Sequence, residues 1–292
     1  QTCALPISNH HGLMIAGEAA LSNWDAGMDM YIYGKLGNLI MTKEGINVLM
    51  TNLTGKVPPI LQRLDYIRFN GEAAGYLHDL TLTGLFYTGA GMVKTDVMMS
   101  IDEQSMSRTY SGSVASADLD LGKLLNQEKK FGKVDFNVEL KGFNYKNRYP
   151  ESYIKGIISS FEYSQYQYEN IMLDGVYKDG GFNGRLSMDD ANGSVQIDGN
   201  FNVAKTIPDF NLKASVKNLR PHDLHLSDKY ENASISLGLT ADFTGKSIDD
   251  MNGRISLDSL QLNAPDERGC FLDNLTITAG QDRKSTRLNS SH

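Results

Sequence analysis

The residues best suited to chemistry, the histidines and the acidic pairs, are spread along the sequence. His78, His222 and His225 lie in polar turn sequences, and none has the spacing of the HExxH zinc motif, so we interpret them as surface residues. The pair Asp189-Asp190 lacks the regularly spaced oxygen ligands of an EF-hand calcium loop, and an ordinary hairpin turn accounts for it. We therefore predict no metal site and no cofactor.

The glycines and cysteines do not indicate a binding or catalytic site either. The chain has 28 glycines, yet no segment matches the phosphate-binding GxxxxGK[ST] or GxGxxG patterns, so we assign the glycines to turns and strand ends. The two cysteines, Cys3 and Cys270, form no CxxC pair. Because no nucleophile, base and acid fall into a recognisable pattern, the sequence predicts a protein that is not an enzyme.

One aromatic segment, 161–168, could form a stacking platform for a carbohydrate or a base. Its rings cannot share one face of a continuous strand, because Phe161 and Tyr163 have odd numbers whereas Tyr166 and Tyr168 have even numbers. We therefore interpret the segment as a strand interrupted by a bulge or a turn near Ser164.

The two ends of the chain can be read from opposite strands of one DNA. The codons GAT CGG AAG AGC ACA CGT CTG encode 282–288, and their reverse complement, CAG ACG TGT GCT CTT CCG ATC, encodes 1–7. This DNA resembles a common sequencing-library adapter. We therefore interpret 1–8 and 282–292 as adapter-derived artefacts, expect 1–7 and 282–292 to form detached coil, and take 9–281 as the β-repeat fragment.

Net charge excludes one class of partner. Leaving out 282–292 removes three basic residues and one acidic residue, which changes the formal net charge from −7 to −9. An acidic surface repels the phosphate backbone, so we expect no nucleic-acid partner. No run of about eighteen apolar residues occurs, so no transmembrane helix is predicted within these residues.

The dominant pattern after Gly71 is the alternation of apolar and polar residues. It is clearest in 134–141, 194–203 and 233–244, and it gives each strand one apolar face and one polar face. This is typical of antiparallel sheets with one face in water, and turn clusters such as 178–181 predict hairpins between the strands. The apolar residues expected to line one shared groove are Val134, Phe136, Val138, Leu140, Val195, Ile197, Phe201, Val203, Ile235, Leu237, Leu239 and Phe243.

Helix is predicted only in the first quarter of the chain. Thr42 can cap a short helix whose apolar residues recur at helical spacing from Ile46 to Leu53, and Gly55 can end it. The proline pair that follows permits a second short helix, so we expect helix mostly within about 43–64. The favoured interpretation is a cap that packs against the sheet.

A weak internal repeat with a period of about a hundred residues is also visible. The segments 110–114, 118–121 and the strand ending at Gly142 resemble 210–214, 223–226 and the strand ending at Gly245. This fits an array of hairpins that pack on their neighbours. The continuous apolar face must be covered, and a closed sandwich, a β-helix-like tube and an open groove that holds lipid would all satisfy the pattern.

The segments 41–55, 57–64 and 67–72 resemble the helical interlude of the TamB-like translocation and assembly module family, which is related to the AsmA-like proteins. The strands at 111–121 and 133–142 are similar in character to the same proteins, and the resemblance covers 12–281. It implies an all-β, mainly antiparallel fold: an elongated repeat sheet curled into a taco-like or β-helix-like groove, with one or two short helices near 43–64.

The resemblance also implies a function and a place. The chain would be a periplasmic segment of an envelope-spanning conduit or scaffold in a Gram-negative bacterium, anchored to the inner membrane by a segment that lies outside this chain. The conduit would carry phospholipid between the inner and outer membranes, assist outer-membrane protein assembly, or both. Its implied partners are phospholipid acyl chains and, through a missing C-terminal region, an outer-membrane barrel assembly partner.

An extracellular β-repeat adhesin or polysaccharide-binding protein is the alternative. Such a protein is expected to display aromatic residues outward and to bind Ca²⁺ with acidic turns. The outward positions of the alternating strands are Asp, Asn, Ser, Gln, Lys and Thr, with scarcely an aromatic residue among them. This composition favours the conduit.

Overall fold

The computed structural model of the 292-residue chain is mostly antiparallel β-sheet, with about 70% of residues in strands, which confirms the predicted fold class. The residues that it describes are 2–10, 12–23, 29–76, 78–102, 104–105, 107–144, 151–202, 205–229, 231–246, 250–264, 269–280 and 283–289. The chain divides into two compact units. Unit 1 comprises Gln1–Asn147 and Ser159–Gln165, and unit 2 comprises Arg148–Ile158 and Tyr166–His292.

Unit 1 contains three short helices and the first part of the strands. Its elements are β1 (Thr2–His10), β2 (Leu13–Ser22), β3 (Tyr31–Thr42), α1 (Lys43–Thr54), α2 (Pro59–Gln62), β4 (Tyr66–Tyr76), β5 (Asp79–Thr88), β6 (Gly91–Ile101), β7 (Arg108–Ala117), β8 (Leu119–Asp120), α3 (Leu121–Leu125), β9 (Phe131–Asn144) and the end of β10 (Glu151–Tyr163). From β1 to β7 each strand pairs antiparallel with the next, and both β7 and the short β8 pair with β9.

Unit 2 consists of strands and their turns. Its elements are the start of β10, β11 (Tyr166–Lys178), β12 (Gly181–Asp190), β13 (Gly193–Asn202), β14 (Asp209–Leu219), β15 (Ser234–Thr244), β16 (Asn252–Asn263), β17 (Cys270–Leu272), β18 (Asn274–Gly280) and β19 (Arg283–Asn289). Neighbours in sequence pair antiparallel from β11 to β16. One end of β16 then pairs with β17 and the other with β18, which pairs with β19.

The two helices predicted within 43–64 are confirmed as α1 and α2. The Thr42 hydroxyl accepts a hydrogen bond from the Gly45 amide at 3.4 Å, and Gly55 ends α1 in the left-handed conformation with φ of 73°. Ile46 is buried, as expected of a cap, whereas the side chains of Leu49 and Leu53 lie outside the described residues. The amphipathic spacing therefore identified a packed helix correctly.

The third helix, α3, was not predicted. It has five residues, which is too short for a periodic apolar pattern, and local capping defines it instead. The Asp120 carboxylate accepts from the Lys123 amide at 2.8 Å, and Asn126 ends the helix with φ of 57°. The helix follows β8, and only its first residue, Leu121, belongs to the segment 118–121 of the predicted internal repeat.

The expectation that 1–7 and 282–292 form detached coil is wrong for the backbone. Thr2–His10 pairs with β2, and Arg283–Asn289 pairs with β18. An open sheet presents a row of unpaired N–H and C=O groups at its edge, and any extended segment within reach can satisfy them. Edge pairing therefore does not depend on the origin of the sequence, and the adapter interpretation, which concerns the coding DNA, stays a prediction.

The break predicted in the aromatic segment is confirmed. Ser164 and Gln165 have φ of 50° and 64°, the pair of positive values that a two-residue hairpin turn requires. The alternation is then disturbed a second time, at Asn170, whose φ is 52°. This second irregularity, which the sequence did not reveal, decides which face Tyr166 and Tyr168 occupy.

Candidate apolar ligand-binding face

The strand register places most of the predicted apolar residues of unit 2 on one face. Residues that lie opposite each other in antiparallel strands have their side chains on the same face. Successive cross-strand partners therefore form a row of side chains across the sheet. One row joins Val195, Val216, Leu237 and Leu260, and the next joins Leu186, Ile197, Ala214, Leu239 and Leu257. We call this surface the apolar face of unit 2.

A row of aromatic residues bounds the same face toward one end of the strands. This aromatic row consists of Tyr177, Phe182, Phe201, Phe210 and Phe243. The ring centroids of Phe210 and Phe243 are 4.8 Å apart, and those of Phe182 and Phe201 are 5.8 Å apart. Two of the predicted groove residues, Phe201 and Phe243, thus belong to a row of aromatic residues in which neighbouring rings pack in two pairs.

Glycines in the strand interiors make room for these rings, which corrects the assignment of glycine to turns and strand ends alone. Gly175, Gly184 and Gly199 lie opposite one another, one row away from the aromatic row. A Cβ atom on Gly175 would lie 2.4 Å from Cζ of Phe182, so the ring covers the glycine backbone. The pairing register was needed to see this, since the glycines are far apart in sequence.

The apolar face of unit 2 is only half-buried. Along β14 the apolar-face residues Leu212 and Ala214 are half-buried, whereas their neighbours Lys213 and Ser215 are exposed. Among the described residues of unit 2, the close backbone contacts between elements join strands that are neighbours in the sheet. Side chains of adjacent strands therefore contribute to the partial burial of this face.

One end of this face is covered by the loop between β14 and β15. Leu224 in this loop is 0% exposed, and its carbonyl accepts a hydrogen bond of 2.8 Å from the buried Tyr168 hydroxyl. Beside it the Tyr166 hydroxyl lies 2.5 Å from Oδ1 of Asp190. Burial first, and then this hydrogen bond, raise the pKa of Tyr166 to about 12. The Tyr168 hydroxyl thus holds the loop, and the neighbouring Tyr166 phenol stays protonated at neutral pH.

Unit 1 has an apolar face built in the same way. Val138 lies opposite Val114, and Leu140 lies opposite Gly112, while Phe136 follows the same alternation and is half-buried. The rings of Phe69 and Phe86 are 4.5 Å apart, and Cβ atoms on Gly71 and Gly84 would lie 2.7 and 2.6 Å from the Phe69 ring. Aromatic rings over strand glycines therefore occur in both units.

Val134 differs from the other predicted groove residues of unit 1. It is buried and lies opposite the buried Leu119, immediately before α3. It therefore packs at the strand end that lies next to α3 and does not belong to the half-buried apolar face. Of the remaining predicted residues, Ile235 lies on the apolar face of unit 2 opposite Leu219 and Leu262, and Val203 lies outside the described residues.

The opposite face of unit 2 carries an alternating line of charges. Lys155 contacts Asp174 at 3.0 Å, and Arg185 contacts Asp198 at 2.6 Å; Lys213 lies opposite Asp198. Hydrogen bonds from Lys155 and then from Tyr153 hold the pKa of Asp174 below its usual value. These pairs are exposed, so they specify the register more than they stabilise the fold.

Two open depressions of unit 2 have been located outside the centre of the apolar face. The larger, of about 680 Å³, is walled by Gln196, Asp198 and Asp258 over the side-chain-free position Gly238, on the polar face. The smaller, of about 450 Å³, lies at the strand ends and is lined by Lys178, Asp179, Lys205 and Asp209, by asparagines and by Phe182 and Phe201. The register joins Lys178, Gly181, Asn202 and Asp209 in one row of the polar face, opposite the aromatic row.

No cluster suited to a metal ion is found in the described part of the chain. There, no group of three or more His, Cys, Asp or Glu side chains is close enough to hold a metal ion, and Cys270 is an exposed free thiol. His222 is partly exposed beside Asp223, with Nδ1 and Oδ1 3.6 Å apart. None of the helices whose residues are described has the length and apolarity to cross a membrane.

The candidate binding surface is thus a face rather than an enclosed pocket, and its rows become visible only through strand pairing. The sequence identified Val195, Ile197 and Leu237 because they alternate with polar residues, but it missed the partners that complete each row, such as Val216 and Leu260. Comparisons with protein-family models, with curated proteins and with solved structures found no match to this chain.

Proposed function

We propose that this chain is a periplasmic segment of an envelope-spanning conduit or scaffold that holds phospholipid acyl chains, and that serves lipid transport between membranes, outer-membrane protein assembly, or both. The observation that carries the proposal is the apolar face of unit 2. Its aliphatic and aromatic rows run across neighbouring strands from β11 to β16, and along β14 the apolar-face residues Leu212, Ala214 and Val216 are only half-buried.

The chemistry of this face suits an alkyl chain. Leu237, Leu239 and their cross-strand partners offer aliphatic surface and no side-chain hydrogen-bond donor, so attraction depends on apolar area rather than on direction. Each buried methylene contributes about 0.8 kcal/mol, which makes even partial contact with a long chain worth several kcal/mol. Because no directional bonds have to break, a bound chain could shift from one row to the next, as transport requires.

The envelope location and the assembly role rest on the resemblance of 41–72 to the TamB-like family. The same apolar face would also accept an unfolded apolar protein segment, which is the ligand that assembly of outer-membrane proteins would present. Lipid transport and protein assembly therefore share one binding surface under this proposal. The experiment must distinguish the two ligands.

Site-specific photo-crosslinking tests the proposal. A photoreactive side chain is placed at Leu237 on the apolar face and, as the matched control, at the exposed Ser215 on the neighbouring strand, whose side chain lies on the opposite face. In cells, we expect phospholipid adducts at position 237 and none at position 215. Peptide adducts at 237 would favour the assembly role, and a folded protein that gives neither adduct at 237 would refute the proposal for unit 2.

A charge substitution separates an open face from a closed core. In a closed core Leu237→Asp would leave an unpaired buried charge, which costs several kcal/mol, and the chain should unfold. On an open face the carboxylate reaches water, so thermal unfolding should change little while the lipid adduct is lost. Ser215→Asp, on the polar face, controls for the effect of added charge. Unfolding of Leu237→Asp alone would indicate a closed sandwich and contradict the conduit.

A further inference from the structure

The polar face of unit 1, opposite its apolar face, carries aromatic residues at one end of the strands. Tyr31 and Tyr76 are cross-strand partners, and an odd number of positions separates Tyr76 from the apolar-face residue Phe69, so both tyrosines lie on the polar face. Their ring centroids are 5.3 Å apart, and the His78 ring stacks on Tyr76 with centroids 5.4 Å apart. Tyr76 is 43% exposed. These three rings, which we call the aromatic platform, therefore form a solvent-accessible surface.

The side chains beside the aromatic platform are polar or small. Asp79 is exposed and lies opposite Tyr76, and Oδ1 of Asp29 lies 3.6 Å from Nδ1 of His78. In the next row of the same face, both cross-strand partners of Tyr33 are alanines, so its ring has no bulky neighbour across the strands. The site thus combines ring surface with carboxylates and lacks the aliphatic rows of the apolar face.

The row that contains the platform continues across the sheet. From Tyr76 it passes through Asp79, Ser100 and Thr109 to Phe143 on β9. Neighbouring strands are about 4.8 Å apart, so Phe143 lies about 19 Å from Tyr76, at the far end of a line of carboxyl and hydroxyl groups. Aromatic rings therefore stand at both ends of a polar row.

This combination suits a neutral saccharide. A pyranose ring presents C–H groups that pack on an aromatic ring, and its hydroxyl groups form hydrogen bonds with carboxylates and hydroxyls. An acyl chain needs aliphatic neighbours, and the carboxylates repel both nucleic acids and acidic polysaccharides. The polar positions that argued against a polysaccharide ligand lie in 134–141, 194–203 and 233–244, and the aromatic platform lies outside these strands.

We propose that the polar face of unit 1 binds a neutral oligosaccharide, which packs on Tyr76 and His78 and extends along the row toward Phe143. Asp29 and Asp79 accept hydrogen bonds from its hydroxyl groups. The site lies on the opposite face of the sheet from the apolar side chains of unit 1, so a glycan and an acyl chain do not compete for the same surface. The inference goes beyond the proposed function and does not depend on it.

Calorimetric titration of the full chain with oligosaccharides tests the proposal. The probes are three neutral tetrasaccharides that differ in linkage and substitution, namely cellotetraose, maltotetraose and tetra-N-acetylchitotetraose, together with the acidic tetragalacturonate. We expect at least one neutral tetrasaccharide to bind, and tetragalacturonate to bind about tenfold more weakly or not at all. Tyr76→Ala should weaken the neutral ligand about five- to tenfold, the loss expected of one aromatic contact, whereas Tyr76→Phe keeps the ring and should stay within about twofold of wild type.

Tyr87→Ala is the matched control, because Tyr87 is 39% exposed on the same face, near the other end of β5, and should leave the affinity unchanged. An equal loss in Tyr87→Ala and Tyr76→Ala would overturn the location of the site. A folded chain that binds none of the neutral tetrasaccharides would overturn the proposal. Tetramethylammonium is titrated as well, since binding of this cation alone, abolished by Tyr76→Ala, would identify the rings as a cation site and not a saccharide site.

The extension along the row has its own test. Phe143→Ala should weaken the bound tetrasaccharide about two- to fivefold and leave the affinity for the corresponding disaccharide unchanged, because the disaccharide reaches only the aromatic platform. Thermal unfolding of each variant checks that it is folded. Equal losses for the disaccharide and the tetrasaccharide, or no loss for either, would overturn the proposed extension toward Phe143.

Discussion

The apolar faces of unit 1 and unit 2 are alike along their strands and different where they are closed. Unit 1 closes one end with α1, α2 and α3, and side chains tie these elements together: Lys123 contacts Asp65 at 2.7 Å, and the Arg63 guanidinium donates to the Leu124 carbonyl. Unit 2 closes one end with a loop that contributes Leu224 and is held by Tyr168.

The two units bury the apolar side chains at their strand ends in different ways. At these ends the neighbouring strands no longer shield the side chains from water, so another element has to pack over them. In unit 1 several buried residues in and beside the helices, including Ile46, Leu64 and Leu124, shield this end. In unit 2 a single fully buried side chain of the loop, Leu224, does so. The internal repeat predicted that 118–121 corresponds to 223–226, and both segments place a buried leucine, Leu119 and Leu224, after a strand. The two corresponding segments therefore each contain a buried leucine, although Leu119 is followed by a helix and Leu224 lies in a loop.

The largest effect is expected from Leu224→Ala. Removing a fully buried leucine costs about 2–5 kcal/mol through lost apolar burial and the cavity that remains. Because Leu224 is the only buried residue of that size among the described residues of the loop, the free energy of unfolding should fall by an amount in the upper half of this range. Chemical denaturation measures it, with Leu226→Ala as the control, since Leu226 is 53% exposed in the same loop. Equal small losses for both variants would contradict a cap that depends on one residue.

A smaller effect is expected where aromatic rings cover glycine, a feature that both units share. In Gly175→Ala the new Cβ would overlap Cζ of Phe182 at 2.4 Å, so the ring must move and about 1–3 kcal/mol should be lost. Gly238→Ala is the matched control, because its Cβ would meet nothing closer than 3.6 Å. Thermal unfolding of the two variants checks this, and a Gly175→Ala protein as stable as wild type would show that the ring does not need the glycine.

Much of the fold could be predicted from sequence, because alternation and helix capping are local. The alternation in 194–203 fixed the face of Val195 and Ile197, and the cap at Thr42 fixed the start of α1. The rows could not be predicted, since they depend on which strands pair and in what register. Asn170 shows the limit most clearly: a single left-handed residue moves two tyrosines to the other face, and no local pattern marks it.

A modest gain in stability is expected from Thr95→Val in unit 1. The buried Oγ1 of Thr95 has no hydrogen-bond partner among the described residues, and its strand pairs it with Gly84 and Val114 on the apolar face. Valine has nearly the same shape and no hydroxyl, so about 1 kcal/mol should be gained. In the control, Thr83→Val, the lost hydroxyl donates to Asp96 at 2.9 Å, and stability should not rise. Destabilisation by Thr95→Val would mean that the hydroxyl is bonded.

The smallest effect concerns pH and distinguishes the two caps. In unit 1 the hydrogen bond from Lys123, and then its charge, hold the pKa of Asp65 below the ordinary value of 3.8. A depressed folded-state pKa gives stability that is present above the unfolded pKa and is lost as the pH falls through the folded pKa. Asp65→Asn should therefore lower Tm slightly at neutral pH and not at all once the pH is well below 3.8.

Asp65 is exposed and Lys123 is half-buried, so salt should shrink the difference further. The Tyr166 phenol of unit 2 does not titrate in this range, because burial and its hydrogen bond to Asp190 raise its pKa to about 12. A Tm difference for Asp65→Asn that persists in acid would show that the carboxylate acts through packing and not through its charge.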